Sequence, residues 1–156
     1  WLFFLCGIAL NPFYHVGNDI ADAIINGKYY MAKEYGIAFD VSGSFHSSLT
    51  LSALELCTIF SNALDNAIEG NLRIEDESKR YINVEIKQTN NFFVVSFENP
   101  LSDPVEVRNN FLIASTKNTG DHGFGLLNIK NTAEKNGGYI EVDVQKHFIL
   151  TVVIPR

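Results

Sequence analysis

The stretch from Ser52 to Asn71, SALELCTIFSNALDNAIEGN, constrains this chain more than any other. Leu56, Ile59, Phe60, Ala63, Leu64, Ala67 and Ile68 recur at steps of three and four, the period of a helix with one face on a core. Ser52 and Glu55 stand at its start as S-x-x-E, the pattern in which two side chains satisfy two free backbone donors. Gly70-Asn71 is expected to end it. At about 100° per residue, Asn62, Asn66 and Glu69 fall within roughly 60° of one another on a separate strip. Two carboxamides and a carboxylate beside an apolar seam can ligate a hard cation or hold a polar ligand. The same strip is also what an ordinary solvated helix face looks like.

The segments around this helix set the architecture. Gly17 to Tyr35 reads as a helix capped by Asn18 or Asp19, with a stripe of Ile20, Ala23, Ile24, Tyr30 and Met31, and Gly36 at its end. Ile37 to Val41 alternates as a strand, and Ser42 to Thr50 is a polar loop. Beyond the charged connector Leu72 to Lys79, Tyr81 to Lys87 and Phe92 to Phe97 read as two strands joined at Thr89-Asn90-Asn91, and Glu98 to Asp103 as a loop. Val105 to Ala114 admits a short helix ending at Phe111 and Leu112. Gly123 to Asn136 reads as a helix closed by Gly137-Gly138. Tyr139 to Val144 and Phe148 to Ile154 form a final hairpin. Adjacent strands without regular βα alternation predict an α+β fold: a two-layer sandwich whose mixed sheet is covered on one face by helices. Phe92, Phe93, Phe97 and Phe148 are assigned to the core.

Composition narrows the function. The 156 residues suffice for one domain with a core, and a net charge of −6 argues against a nucleic-acid surface. Cys6 and Cys57 are the only cysteines and have no metal spacing, which fits a reducing compartment. Trp1 to Leu10 is apolar throughout, but half the roughly twenty residues a bilayer span requires. It is expected to be the end of a membrane helix or an apolar segment packed on the domain. Residues 1–15 are therefore set apart as an N-terminal segment or remainder of a preceding region, and 16–156 as the domain. His15, His46 and His147 are scattered and read as surface or loop residues.

A second feature lies at His122-Gly123-Phe124-Gly125-Leu126. Paired glycines opening a helix let backbone N–H groups approach a phosphate, which the helix N-terminus favours. The polar loop Ser115 to His122 runs into it. It is neither a P-loop nor a dinucleotide fingerprint. An N-x-x-x-N helix followed some fifty residues later by a polar loop and G-x-G-L resembles the GHKL superfamily of ATP-binding domains. SNALDNAIEG is similar to its N box, STKNTGDHGFGLLNIKNTAEKNGG to its lid and second glycine box, and the terminal V-x-I-P also fits. In particular, the chain resembles the kinase domains of Agr-type peptide-pheromone sensors, which act in quorum sensing.

The resemblance implies a Bergerat-type ATP-binding fold and a site for ATP·Mg²⁺. Asn66 would supply a carboxamide oxygen to Mg²⁺, and Asn62 would lie one turn earlier near the phosphates. ATP-hydrolysing relatives carry a glutamate base at that earlier position, and Asn62 cannot act as one, which favours phosphoryl transfer to a partner. Ser115, Thr116, Lys117 and His122 would belong to the ATP lid, with Lys117 neutralising phosphate charge. Gly123, Phe124, Gly125 and Leu126 would open the helix that cradles the phosphates. Most histidine kinases hold adenine with an Asp in D-x-G-x-G; here Phe97-Glu98-Asn99-Pro100 stands in that place, and Asn99 is the equivalent, an uncharged acceptor.

The function so implied is the catalytic and ATP-binding domain of a two-component sensor histidine kinase. It would pass the ATP γ-phosphate to a histidine on a dimerisation domain absent from this chain, with a response regulator downstream. The whole protein would be a homodimeric, membrane-bound bacterial sensor with this domain in the cytoplasm. His15 lacks the acidic neighbour and helical context of a phosphoacceptor, so the chain is not expected to autophosphorylate alone. The alternatives are a non-catalytic nucleotide-binding regulatory module and a serine-directed kinase of the anti-sigma type.

Overall fold

The computed structural model describes residues 13–46, 49–102, 107–108, 111–112 and 124–156. The first helix, α1 (Asp19–Glu34), starts at Asn18, whose side chain accepts hydrogen bonds from the Ile20 and Ala21 amides. Its buried face is Ala21, Asp22, Ile25, Asn26, Tyr29 and Ala32. The expected stripe is thus displaced: Tyr30 and Met31 are exposed. Two polar residues turn inward because they have partners there. Asp22 accepts from the Val16 amide at 2.7 Å, and Asn26 exchanges hydrogen bonds with both the amide and the carbonyl of Tyr14. The chain before α1 is thereby fastened to the helix.

Strand β1 (Ala38–Gly43) leads to α2 (Ala53–Leu72). The expected capping box is formed: the Ser52 hydroxyl accepts from the Glu55 amide, and the Ser52 amide donates to Glu55 Oε2. All seven expected apolar residues of α2 are buried. The helix does not end at Gly70-Asn71. It runs to Leu72, and Asn71 is fully buried, donating to the Ala67 and Tyr81 carbonyls and accepting from the Tyr81 amide. Those bonds join the end of α2 to the start of the next strand.

A short 3-10 turn at Glu77–Lys79 precedes β2 (Tyr81–Gln88), β3 (Phe92–Pro100), β4 (Val107–Arg108) and β5 (Phe111–Leu112). Helix α3 (Phe124–Lys135) is followed by β6 (Tyr139–Asp143) and β7 (His147–Pro155). The main sheet has the order β1-β2-β3-β7-β6, with β1 parallel to β2 and the other pairs antiparallel. Alternation turns Ile82, Val84, Ile86, Phe93, Val95, Phe97, Leu150, Val152 and Ile154 to the helix side, where they are buried. The fold is the expected α+β two-layer sandwich, with three α-helices on a five-stranded mixed sheet among the described residues.

Three local expectations fail. Glu98 to Pro100 is strand rather than loop, because β7 pairs through Glu98↔Ile149, Asn99↔Phe148 and Pro100↔His147. Phe111 and Leu112 do not end a short helix; they pair with Val107 and Arg108 as an antiparallel ribbon. Phe92 is 45% exposed at a strand end, whereas Phe93 and Phe97 are in the core and Phe148 packs partly against it.

Candidate functional site

Helix periodicity places Asn62, Asn66 and Gly70 four residues apart on one stripe of α2. The structure brings two distant parts of the chain onto that stripe. A β-carbon at Gly125, in the first turn of α3, would stand 3.5 Å from both Oδ1 and Nδ2 of Asn66 and 3.6 Å from Cβ of Asn62. At the other end, a β-carbon at Gly70 would stand 2.7 Å from Nδ2 of Asn99. The glycine-bearing helix start, the two asparagines and Asn99 therefore lie along one edge of α2.

The polar atoms differ in how far they are committed. Asn62 Nδ2 donates to the Thr58 carbonyl at 2.7 Å, which orients its carboxamide along the helix. Asn66 has no side-chain hydrogen bond among the described residues. Asn99 is 4% exposed, and its Nδ2 donates to the Pro100 carbonyl at 2.9 Å. That bond leaves Oδ1 as the acceptor it can present.

Of the expected site, Phe124, Gly125 and Leu126 lie in the first described turn of α3, with Phe124 61% exposed and Leu126 against the core. Ser115, Thr116, Lys117, His122 and Gly123 lie outside the described residues. His15 departs from expectation: its Nδ1 meets Asp22 Oδ2 at 2.5 Å, so it does have an acidic neighbour, in space rather than in sequence. It nevertheless lies outside any helix. His147 also has partners. Its Nδ1 lies 2.6 Å from the Tyr81 hydroxyl, which donates to Glu98 on the sheet face away from the helices. Burial, with Glu98 beside it, pushes the Tyr81 hydroxyl pKa up.

Glu55 is the residue whose reach the sequence understated. Oε2 accepts from the Ser52 amide and hydroxyl, while Oε1 accepts from Lys135 Nζ at 2.9 Å and Asn136 Nδ2 at 3.1 Å. The Ser52 amide, then Lys135 and Asn136, hold its carboxyl down at about 2. By composition Gly70 is a helix stop. Its use is to leave room for Asn99, and only the packing reveals that.

Residues 51–155 match the family model described as GHKL domain. The chain belongs to the GHKL domain family. Among curated proteins, this GHKL domain is 27% identical over 139 residues to a probable C4-dicarboxylate sensor kinase of Bacillus subtilis, covering 82% of this chain. The chain spans only 25% of that relative's length. Among solved structures it is similar to the catalytic domain of the histidine kinase ThkA, with a TM-score of 0.69 and 17% identity over 90% of this chain and 93% of that one. The mycobacterial sensor histidine kinase MprB matches at a TM-score of 0.61 and 17% identity, over 85% of this chain and 93% of that one. The GHKL domain therefore has the fold of histidine kinase catalytic domains. Among its described residues no helix is long and apolar enough to cross a membrane.

Proposed function

We propose that this GHKL domain is the ATP-binding catalytic domain of a two-component sensor histidine kinase. The observation that carries the reading is the contact of Gly125 with Asn66 and Asn62, which joins the two motifs in one place. Asn99 at the far end of the same stripe supplies an acceptor for the adenine amino group. The first turn of α3 supplies donors and a positive helix end for phosphates.

The residues present fit a magnesium ion: a carboxamide oxygen is a hard donor, and that of Asn66 is uncommitted among the described residues. Bound there, Mg²⁺ would neutralise charge on the phosphates. Asn62 has no group that can take a proton from water, and its amide is already turned to Thr58. This supports transfer of the γ-phosphate to a partner over hydrolysis, with catalysis by positioning and charge neutralisation. Lys117 would add positive charge, and Ser115, Thr116, His122 and Gly123 would add further polar contacts to the phosphates.

The acceptor we propose is a histidine on a dimerisation domain outside this chain, with a response regulator further on. The whole protein would then be a homodimeric bacterial sensor of the Agr type, anchored in the membrane with this domain on the cytoplasmic side. Titration with a non-hydrolysable ATP analogue should give saturable binding, and no binding would overturn the reading. Incubation with labelled ATP and Mg²⁺ should leave the chain unlabelled; strong label on His15 would remove the division between catalytic and acceptor domains.

A further inference from the structure

Helices α2 and α3 touch at two places that lie far apart along each of them. One is the site, where Gly125 meets Asn62 and Asn66. The other is Glu55 in the first turn of α2, which meets Lys135 and Asn136 at the end of α3. The helices therefore run antiparallel, and the second contact lies about 16 Å along α3 from the first. Ile129 and Ala133, fully buried, pack between the two.

The second contact is a set of hydrogen bonds about one carboxylate. Both carboxylate oxygens of Glu55 are engaged, Oε2 by Ser52 and Oε1 by Lys135 and Asn136. The Glu55 side chain is only 14% exposed, although Lys135 reaches it from a side chain that is 75% exposed. Asn136 is held in turn, since its Nδ2 also donates to the Thr132 carbonyl at 2.9 Å. One carboxylate thus fixes the start of the helix bearing Asn62 and Asn66 and grips the far end of the helix bearing Gly125.

We propose that Glu55 is a positioning residue for the nucleotide: by holding Lys135 and Asn136 it sets where the opposite end of α3 stands against Asn62 and Asn66. The inference rests on the nucleotide reading of that site. A rigid helix gripped at one end transmits a tilt to the other. Loss of the grip therefore displaces the phosphate-facing turn without removing any group from it.

The test separates the grip from the cap. Lys135→Met with Asn136→Ala removes the grip and leaves the Ser52 bonds to Glu55; Ser52→Ala weakens the cap and leaves the grip. Lys135→Arg keeps a donor. Affinity for a non-hydrolysable ATP analogue with Mg²⁺ is measured for each, well below its thermal midpoint. The double variant should bind more weakly, by up to about fivefold, the most expected for losing an ion pair to an exposed lysine. Ser52→Ala should lose midpoint but keep affinity, and Lys135→Arg should keep both. Should the double variant not fold, Lys135→Met alone should show the same direction of loss. Unchanged affinity on removal of the grip, or an equal loss in Ser52→Ala, would overturn the positioning role. No binding by the wild-type chain would overturn the nucleotide reading itself, and this role with it.

Discussion

Gly70 and Asn99 are fitted to each other: a β-carbon on Gly70 would come within 2.7 Å of Asn99 Nδ2. The obstacle to a larger residue at 70 is the far end of one side chain, so Gly70→Ala should be accommodated by moving Asn99. Alanine in a helix interior is worth about 1 kcal/mol over glycine. The variant should therefore melt near the wild-type temperature, the helix gain being offset by the displaced Asn99–Pro100 hydrogen bond, yet bind an ATP analogue more weakly, by about tenfold. Calorimetric melting and a binding titration on the same sample check both halves.

Asn71 is fully buried and satisfies three backbone groups, at the Ala67 carbonyl and at the amide and carbonyl of Tyr81. Asn71→Leu would leave the Tyr81 amide and carbonyl without their partner beside an apolar side chain. Such losses cost about 1–3 kcal/mol per stranded group. Urea unfolding should show a loss of roughly 3 kcal/mol with an unchanged slope. A variant as stable as wild type would mean that those groups find water.

The Glu55 carboxyl, held at about 2 against a usual 4.5, makes stability depend on pH in one direction. A depressed folded-state value means that the ionised form is favoured by folding. The contribution is fully present above the unfolded value near 4.5 and is lost as pH falls through about 2. The stability difference between wild type and Glu55→Gln should be flat above that range and shrink as the solution is acidified towards it. Chemical denaturation across the acid range reads this directly; a difference that grows on acidification would contradict the assignment.

Much of the fold was legible because local signals agreed. The Ser52–Glu55 box and the seven apolar residues of α2 each specify the same helix, and period-two alternation marks the strands. What the sequence hid depends on tertiary contact. Asp22 and Asn26 look like surface residues of α1 until residues 14–16 fold onto them. Gly70-Asn71 has the composition of a helix end, and packing against Asn99 and Tyr81 overrides it. Glu98-Asn99-Pro100 looks like a turn, and pairing with β7 makes it strand. In the site, the spacing of Asn62 and Asn66 was visible. Their contact with Gly125 and the reach of Glu55 to Lys135 join residues some sixty to eighty positions apart, which no local pattern encodes.

Asn66 is proposed to hold the metal of an ATP·Mg²⁺ complex. The most direct measurement is the affinity of wild type and Asn66→Ala for a non-hydrolysable ATP analogue, each with and without Mg²⁺. Mg²⁺ should strengthen binding to the wild-type chain and have little effect on the variant, with the metal-free affinities alike. Equal dependence on Mg²⁺ in the two proteins would contradict the assignment.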